Sequence, residues 1–190
     1  MTSDHTRGTQ TGFPTPSAMV AYCDLALGQL VDTISHSSIW STSAIFVVED
    51  DCQDGADHVN AHRIPVAVIS PYARRGAIIH RRYDLVSVVR SMELIIGMKA
   101  LSLNDALASP MYAAFTSEPL NSATVDAIPA NIDLLERNLP AAPWAALSNR
   151  LPLGQLDAVP QAQLDAILWK SVYGAKSTPP PPGPKAESDR

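Results

Sequence analysis

AIFVVEDDCQDGADHVNAHRIPVAVISPY, residues 44–72, sets two apolar runs on either side of a loop with five acidic residues and two histidines. The runs, SAIFVV (43–48) and IPVAVISP (64–71), are rich in β-branched and aromatic side chains. Their apolar character is continuous rather than alternating. Such runs suit strands covered on both faces, as in a parallel sheet flanked by helices. The loop between them is the least expected part, because adjacent carboxylates repel unless a cation relieves them.

The flanking segments support layers of helix on sheet. SAMVAYCDLALGQLVDTISHS, from Ser17, places Met19, Cys23, Leu27, Leu30, Val31 and Ile34 at helical spacing, with Ser17 as expected N-cap. DLVSVVRSMELIIGM places Leu85, Val88, Val89, Met92, Ile95 and Ile96 on one helical face, between Asp84 as N-cap and Gly97 as C-cap. ARRGAIIHRRY, between the second strand and this helix, reads as a turn and a short strand. NIDLLERNL and VPQAQLDAILWKSVYG read as short helices. The order helix, strand, acidic loop, strand, helix predicts an α/β fold.

Composition narrows the function classes. The 190 residues are 46% hydrophobic and 17% charged, enough apolar material for one domain with a core. Fourteen basic against nineteen acidic residues give a net charge of −5, with no basic stripe, which argues against nucleic-acid binding. Cys23 and Cys52 make no disulfide framework and no C-x-x-C pair. No apolar run approaches the roughly 20 residues that span a bilayer, and the polar start MTSDHTRGTQTGFPTP has no signal-peptide core. The end, KSTPPPPGPKAESDR, is too proline-rich and charged to add to a core.

The chemistry concentrates where AIFVV ends in Glu49-Asp50-Asp51. Carboxylates beside imidazoles suit a divalent ion such as Zn, Mn, Fe or Ca. Asp50, Asp51, His58 and His62 are the candidate ligands, with Asp54 and Asp57 nearby. The plainer alternative is a solvated acidic turn. An EF-hand fails, because Cys52 stands at the third loop position and Ala61 at the closing Glu position. His58 and His62 have helical i, i+4 spacing, but Gly55 and Pro65 argue against a regular helix there. Arg74-Arg75-Gly76 reads as a surface turn or an anion contact. G-x-S-x-G, P-loop and G-x-G-x-x-G signatures are missing from the sequence.

SDHTRGT, PTPSAMVAYCDLALGQLVDTIS, AIFVVEDDCQDGADHVNAHRIPVAVISPYARRGAIIH and LNDALASPMYAAF, in that order, resemble bacterial phosphoesterases of the phospholipase C and acid phosphatase type, in the alkaline phosphatase-like superfamily. The resemblance runs over residues 3–137 and implies a partial alkaline phosphatase-like layered fold with a mostly parallel sheet flanked by helices. It also implies that Asp4 and His5 of the DHT loop ligate a metal, and that Asp50 and Asp51 form the strand-end pair. His58, the histidine of the shared DHV, ranks above His62. The helix motif D-x-x-L-G of related phosphodiesterases corresponds to Asp24 and its successors. The family pattern differs at Tyr22-Cys23, where it has Asp-Asn, and at Cys52, where it has Ala. It reads QDGPDHVDAHR where this chain has QDGADHVNAHR.

What the resemblance implies about activity is in-line displacement at phosphorus by a metal-activated Ser or Thr on a phosphoester substrate. In the family the nucleophile precedes the DHT loop, so it is expected upstream of Met1, and the chain alone is expected to be inactive. Residues 1–137 are then the C-terminal part of a catalytic domain, 138–176 a helical extension and 177–190 a proline-rich tail. The resemblance implies a periplasmic or secreted location for full-length relatives, and this chain alone does not fix one. Two other readings stand beside this one: a non-catalytic metal-binding or interaction module, and a truncated gene product with exposed sheet edges.

Overall fold

The computed structural model describes residues 6–49, 64–155 and 158–179, which divide into two compact units. One contains 1–30, 49–65 and 126–190; the other contains 31–48 and 66–125.

Helix α1 (Pro16–Ser35) contributes its first fifteen residues to the first unit and its last five to the second. It starts two residues earlier than Ser17 capping would require. The Thr15 hydroxyl accepts from the Ala18 N–H at 3.1 Å, so Thr15 is the N-cap and Pro16 takes the first helical position. Proline fits there because that N–H has no helical acceptor.

In the first unit, α1 is accompanied by a short helix α4 (Ala145–Ser148) and by α5 (Gln161–Tyr173). The apolar interior draws on Ala18, Met19, Ala145, Leu151, Leu164 and Ile167. NIDLLERNL, expected as a helix, is not one. Its backbone is committed elsewhere: Thr15 N–H donates to Glu136 O (3.0 Å), Asn138 N–H to Phe13 O (2.9 Å) and Gly12 N–H to Asn138 O (2.9 Å). Pairing across more than 120 residues has overridden a local helical pattern.

The second unit holds strands β1 (Ile45–Val48) and β2 (Val66–Ile69), helix α2 (Leu85–Ile95) and the short helix α3 (Leu103–Leu107). Among the described residues these two strands form the whole sheet, and they are antiparallel, Ile45 opposite Ile69 and Val48 opposite Val66. The expected mostly parallel sheet is thereby corrected to an antiparallel pair within an α/β arrangement. No residue of either strand is buried, so the expected cover on both faces is absent too, and a continuous apolar run does not by itself fix strand direction. Phe46 and Val68, opposite each other in register, pack with Ile79, Tyr83 and Phe115 against Val88, Met111 and Ala114. The Phe46 and Phe115 rings lie 6.0 Å apart.

Helix α2 has the ends its sequence predicts. Asp84 accepts from Ser87 N–H at 2.7 Å, and the Ser87 hydroxyl returns the contact to the Asp84 N–H, a capping box. At the other end Met98 N–H reaches Glu93 O (2.7 Å) and Gly97 N–H reaches Leu94 O (3.3 Å). That is a Schellman motif, with Gly97 at φ +71° one residue beyond the cap Ile96.

The buried face of α2 is not the expected one. Of the six predicted apolar residues only Val88 is buried, while Ser87, Ser91 and Glu93 are buried with it. Ser91 explains the choice. Its hydroxyl donates to Ser87 O (2.7 Å) and accepts from Met111 N–H (2.8 Å), tying the 111–115 segment to the serine-bearing side. ARRGAIIHRRY forms turns and extended backbone without a strand.

Candidate functional site

The register of the hairpin fixes where the acidic segment attaches. Val48 and Val66 are paired, so residues 49–65 leave and re-enter the sheet at one end. Both valines are about 40% exposed, so the apolar ladder stops at this edge. Asp50, Asp51, His58 and His62 lie outside the described residues, as do Asp54, Asp57, Asp4 and His5.

The segment that follows Asp4-His5 is held by a dense set of contacts. Asn138, buried, points its carboxamide nitrogen at the carbonyls of Gly8 (3.1 Å), Gln10 (3.2 Å) and Pro14 (3.1 Å). Ser148 donates to Arg7 O (3.0 Å), and Thr9 donates to Pro143 O (2.8 Å). Asn149 and Thr11 exchange two further bonds, Thr11 N–H to Asn149 Oδ1 (2.9 Å) and Asn149 Nδ2 to Thr11 Oγ1 (3.1 Å). Gly8 adopts φ +55°, and a Cβ there would meet Ser148 Oγ at 2.8 Å and Ile167 Cγ2 at 3.1 Å. Only glycine satisfies both the left-handed backbone and the close approach. The 138–176 region thus packs on the turn that carries the DHT motif's downstream half.

Within the second unit, Asp32 and His36 supply carboxylate and imidazole donor types that a divalent ion accepts. Asp32 and His36 stand one helical turn apart, with His36 Nδ1 at 3.1 Å from an Asp32 carboxylate oxygen. The sequence reading passed over this pair, although D-x-x-x-H at the end of a helix is a visible i, i+4 signal. Asp24, the D-x-x-L-G aspartate, is exposed on α1.

The second unit also has an apolar hollow of about 430 Å³ near Ser43 and Ser70, at the opposite end of the hairpin from the acidic segment. Leu94, Ile95, Met111 and Phe115 line it beside serine, threonine and tyrosine hydroxyls. Its lining has hydroxyl groups but no carboxylate, imidazole or basic side chain among the described residues.

Residues 10–99 match the Phosphoesterase family. The match takes in α1, both strands, all of residues 49–65 and helix α2. It starts after Asp4-His5 and ends before LNDALASPMYAAF, so those two motifs of the resemblance lie beyond it. The chain matches no curated protein. The matched segment contains Asp50, Asp51, His58 and His62 in the stretch of sequence between the two paired strands.

Proposed function

We propose that this chain is the metal-holding, C-terminal portion of a phosphoesterase that hydrolyses phosphate mono- or diesters. The observation that carries the reading is the family match over residues 10–99, which includes the whole acidic segment between β1 and β2. Asp50, Asp51 and His58, with His62 as the second imidazole, and Asp4 and His5 from the N-terminal loop are the proposed donors. Their mixed oxygen and nitrogen chemistry fits Zn, Mn, Fe or Ca. An ion bound there would polarise phosphoryl oxygens.

The chain's own residues have definite tasks in this reading. Asp50 and Asp51 follow β1 in sequence and supply adjacent negative charges, whose mutual repulsion a cation would relieve. His58 supplies a neutral imidazole, so ion affinity falls as that ring protonates. The 138–176 extension braces the turn following Asp4-His5 through Asn138, Ser148 and Gly8. No residue of this chain is assigned as nucleophile, and p-nitrophenyl phosphate hydrolysis by the 190-residue chain alone is expected to be negligible.

Calorimetric titration with Zn or Mn tests the site. The reading predicts saturable binding that is lost in the Asp50→Asn/Asp51→Asn double variant. Binding indifferent to that change would place the ion elsewhere. Robust metal-dependent hydrolysis by the chain, lost on Asp51→Ala, would overturn the expectation of inactivity.

A further inference from the structure

One basic segment has no part in the metal-holding reading. Between β2 and α2 the chain reads Arg74-Arg75-Gly-Ala-Ile-Ile-His80-Arg81-Arg82, four arginines and a histidine with no acid among them. In a protein of net charge −5 this is a local reversal of sign.

The segment is anchored at both ends and open between them. Arg74 N–H donates to Ala114 O (2.9 Å), and its Nε donates to Phe115 O (3.1 Å). Ala73 bridges Phe115. Gly76, at φ +63°, turns the chain. Ile79 and Tyr83 then pack on the Val88–Met111–Ala114 core. The acid that follows, Asp84, is committed to capping Ser87. Ile78 is left 83% exposed, flanked on each side by a pair of exposed arginines. Arg74, Ile78, His80 and Arg81 share a shallow depression of about 610 Å³.

We propose that residues 74–82 are a docking edge for an anionic lipid surface, Ile78 entering the acyl boundary while Arg74, Arg75, Arg81 and Arg82 meet lipid phosphates. An apolar side chain held out between cations matches an interface that is anionic outside and apolar just beneath. A nucleic-acid backbone would use the arginines but offer Ile78 nothing. Helix is not required, because anchoring at Arg74 and Tyr83 already orders the edge. The proposal does not depend on phosphoester chemistry.

The test is sedimentation of the full chain with vesicles of phosphatidylcholine alone, or containing about a third phosphatidylserine. The chain should partition onto the mixed vesicles, not the neutral ones, and release as salt rises. Arg81→Glu/Arg82→Glu should weaken partition by at least about fivefold per arginine, and Ile78→Asp should abolish it. The charge-matched control Lys99→Glu/Arg150→Glu should retain it, with unfolding midpoints compared to confirm that every variant is folded. Absence of partition, equal loss in the control, or partition untouched by Ile78→Asp would overturn the proposal. So would preferential binding of a DNA duplex that survives Ile78→Asp.

Discussion

The side-chain nitrogen of Asn138 lies 3.1 Å from the carbonyl oxygen of Gly8, across 130 residues of sequence. The same nitrogen faces the Gln10 and Pro14 carbonyls, so one amide closes the turn that follows Asp4-His5. Asn138→Leu should leave the buried Gly8 carbonyl and the half-buried Gln10 and Pro14 carbonyls without this donor and cost about 1–3 kcal/mol. Asn138→Asp should be worse, since it sets a carboxylate oxygen against three carbonyls. Urea unfolding monitored by tryptophan fluorescence measures both. A loss under about half a kcal/mol for each would show that the amide is dispensable.

Gly8 gives an independent reading of the same contact. Gly8→Ala forces a side chain into a left-handed backbone and to 2.8 Å from Ser148 Oγ. The expected cost is about 1–3 kcal/mol. Combining it with Ser148→Ala relieves the nearest clash, so the two changes together should cost less than their sum. Strict additivity would contradict the packing.

The cap of α2 should make stability fall in acid. The Ser87 N–H, and then its hydroxyl, hold the Asp84 carboxyl below the usual carboxylate range. Asp105 is also lowered, first by the Ser102 hydroxyl, with the Glu93 side chain and Leu101 N–H adding to it against the opposing push of burial. A carboxyl whose folded pKa is depressed contributes stability above its unfolded value, near 4, and loses it as pH falls through the folded value. The unfolding midpoint should therefore drop below about pH 4, and by less in Asp84→Asn and Asp105→Asn. Asp84→Ala should cost about 1 kcal/mol at neutral pH. A flat acid limb in the wild type would contradict both assignments.

Much of the local structure was legible from single residues. Asp84 and Gly97 announce the ends of α2, and IFVV and VAVI announce the strands, because caps and β-branched runs act within a few residues. Strand direction was not legible, since it depends on which edges meet. The buried side of α2 was missed because Ser91 is chosen by the distant Met111 N–H, which no periodicity can weigh. Glu136 and Asn138 were misread as helical for the same reason, their backbone being claimed by residues 12–15. The acidic segment stood out by its composition, and the family match covers it. The Asp32–His36 pair and the arginines on either side of Ile78 were visible but not joined to neighbours.

The most direct test of the phosphoesterase reading is whether the acidic segment brings phosphate to a metal. Phosphorus relaxation of inorganic phosphate can be followed as the Mn-loaded chain is added, beside the Asp50→Asn/Asp51→Asn variant at equal total Mn. The reading predicts broadening by the wild-type chain well above that of the variant, and its removal by a chelator. Tight Mn binding with no excess broadening would instead describe a non-catalytic metal module, and would contradict the claim that this segment belongs to a phosphoester site.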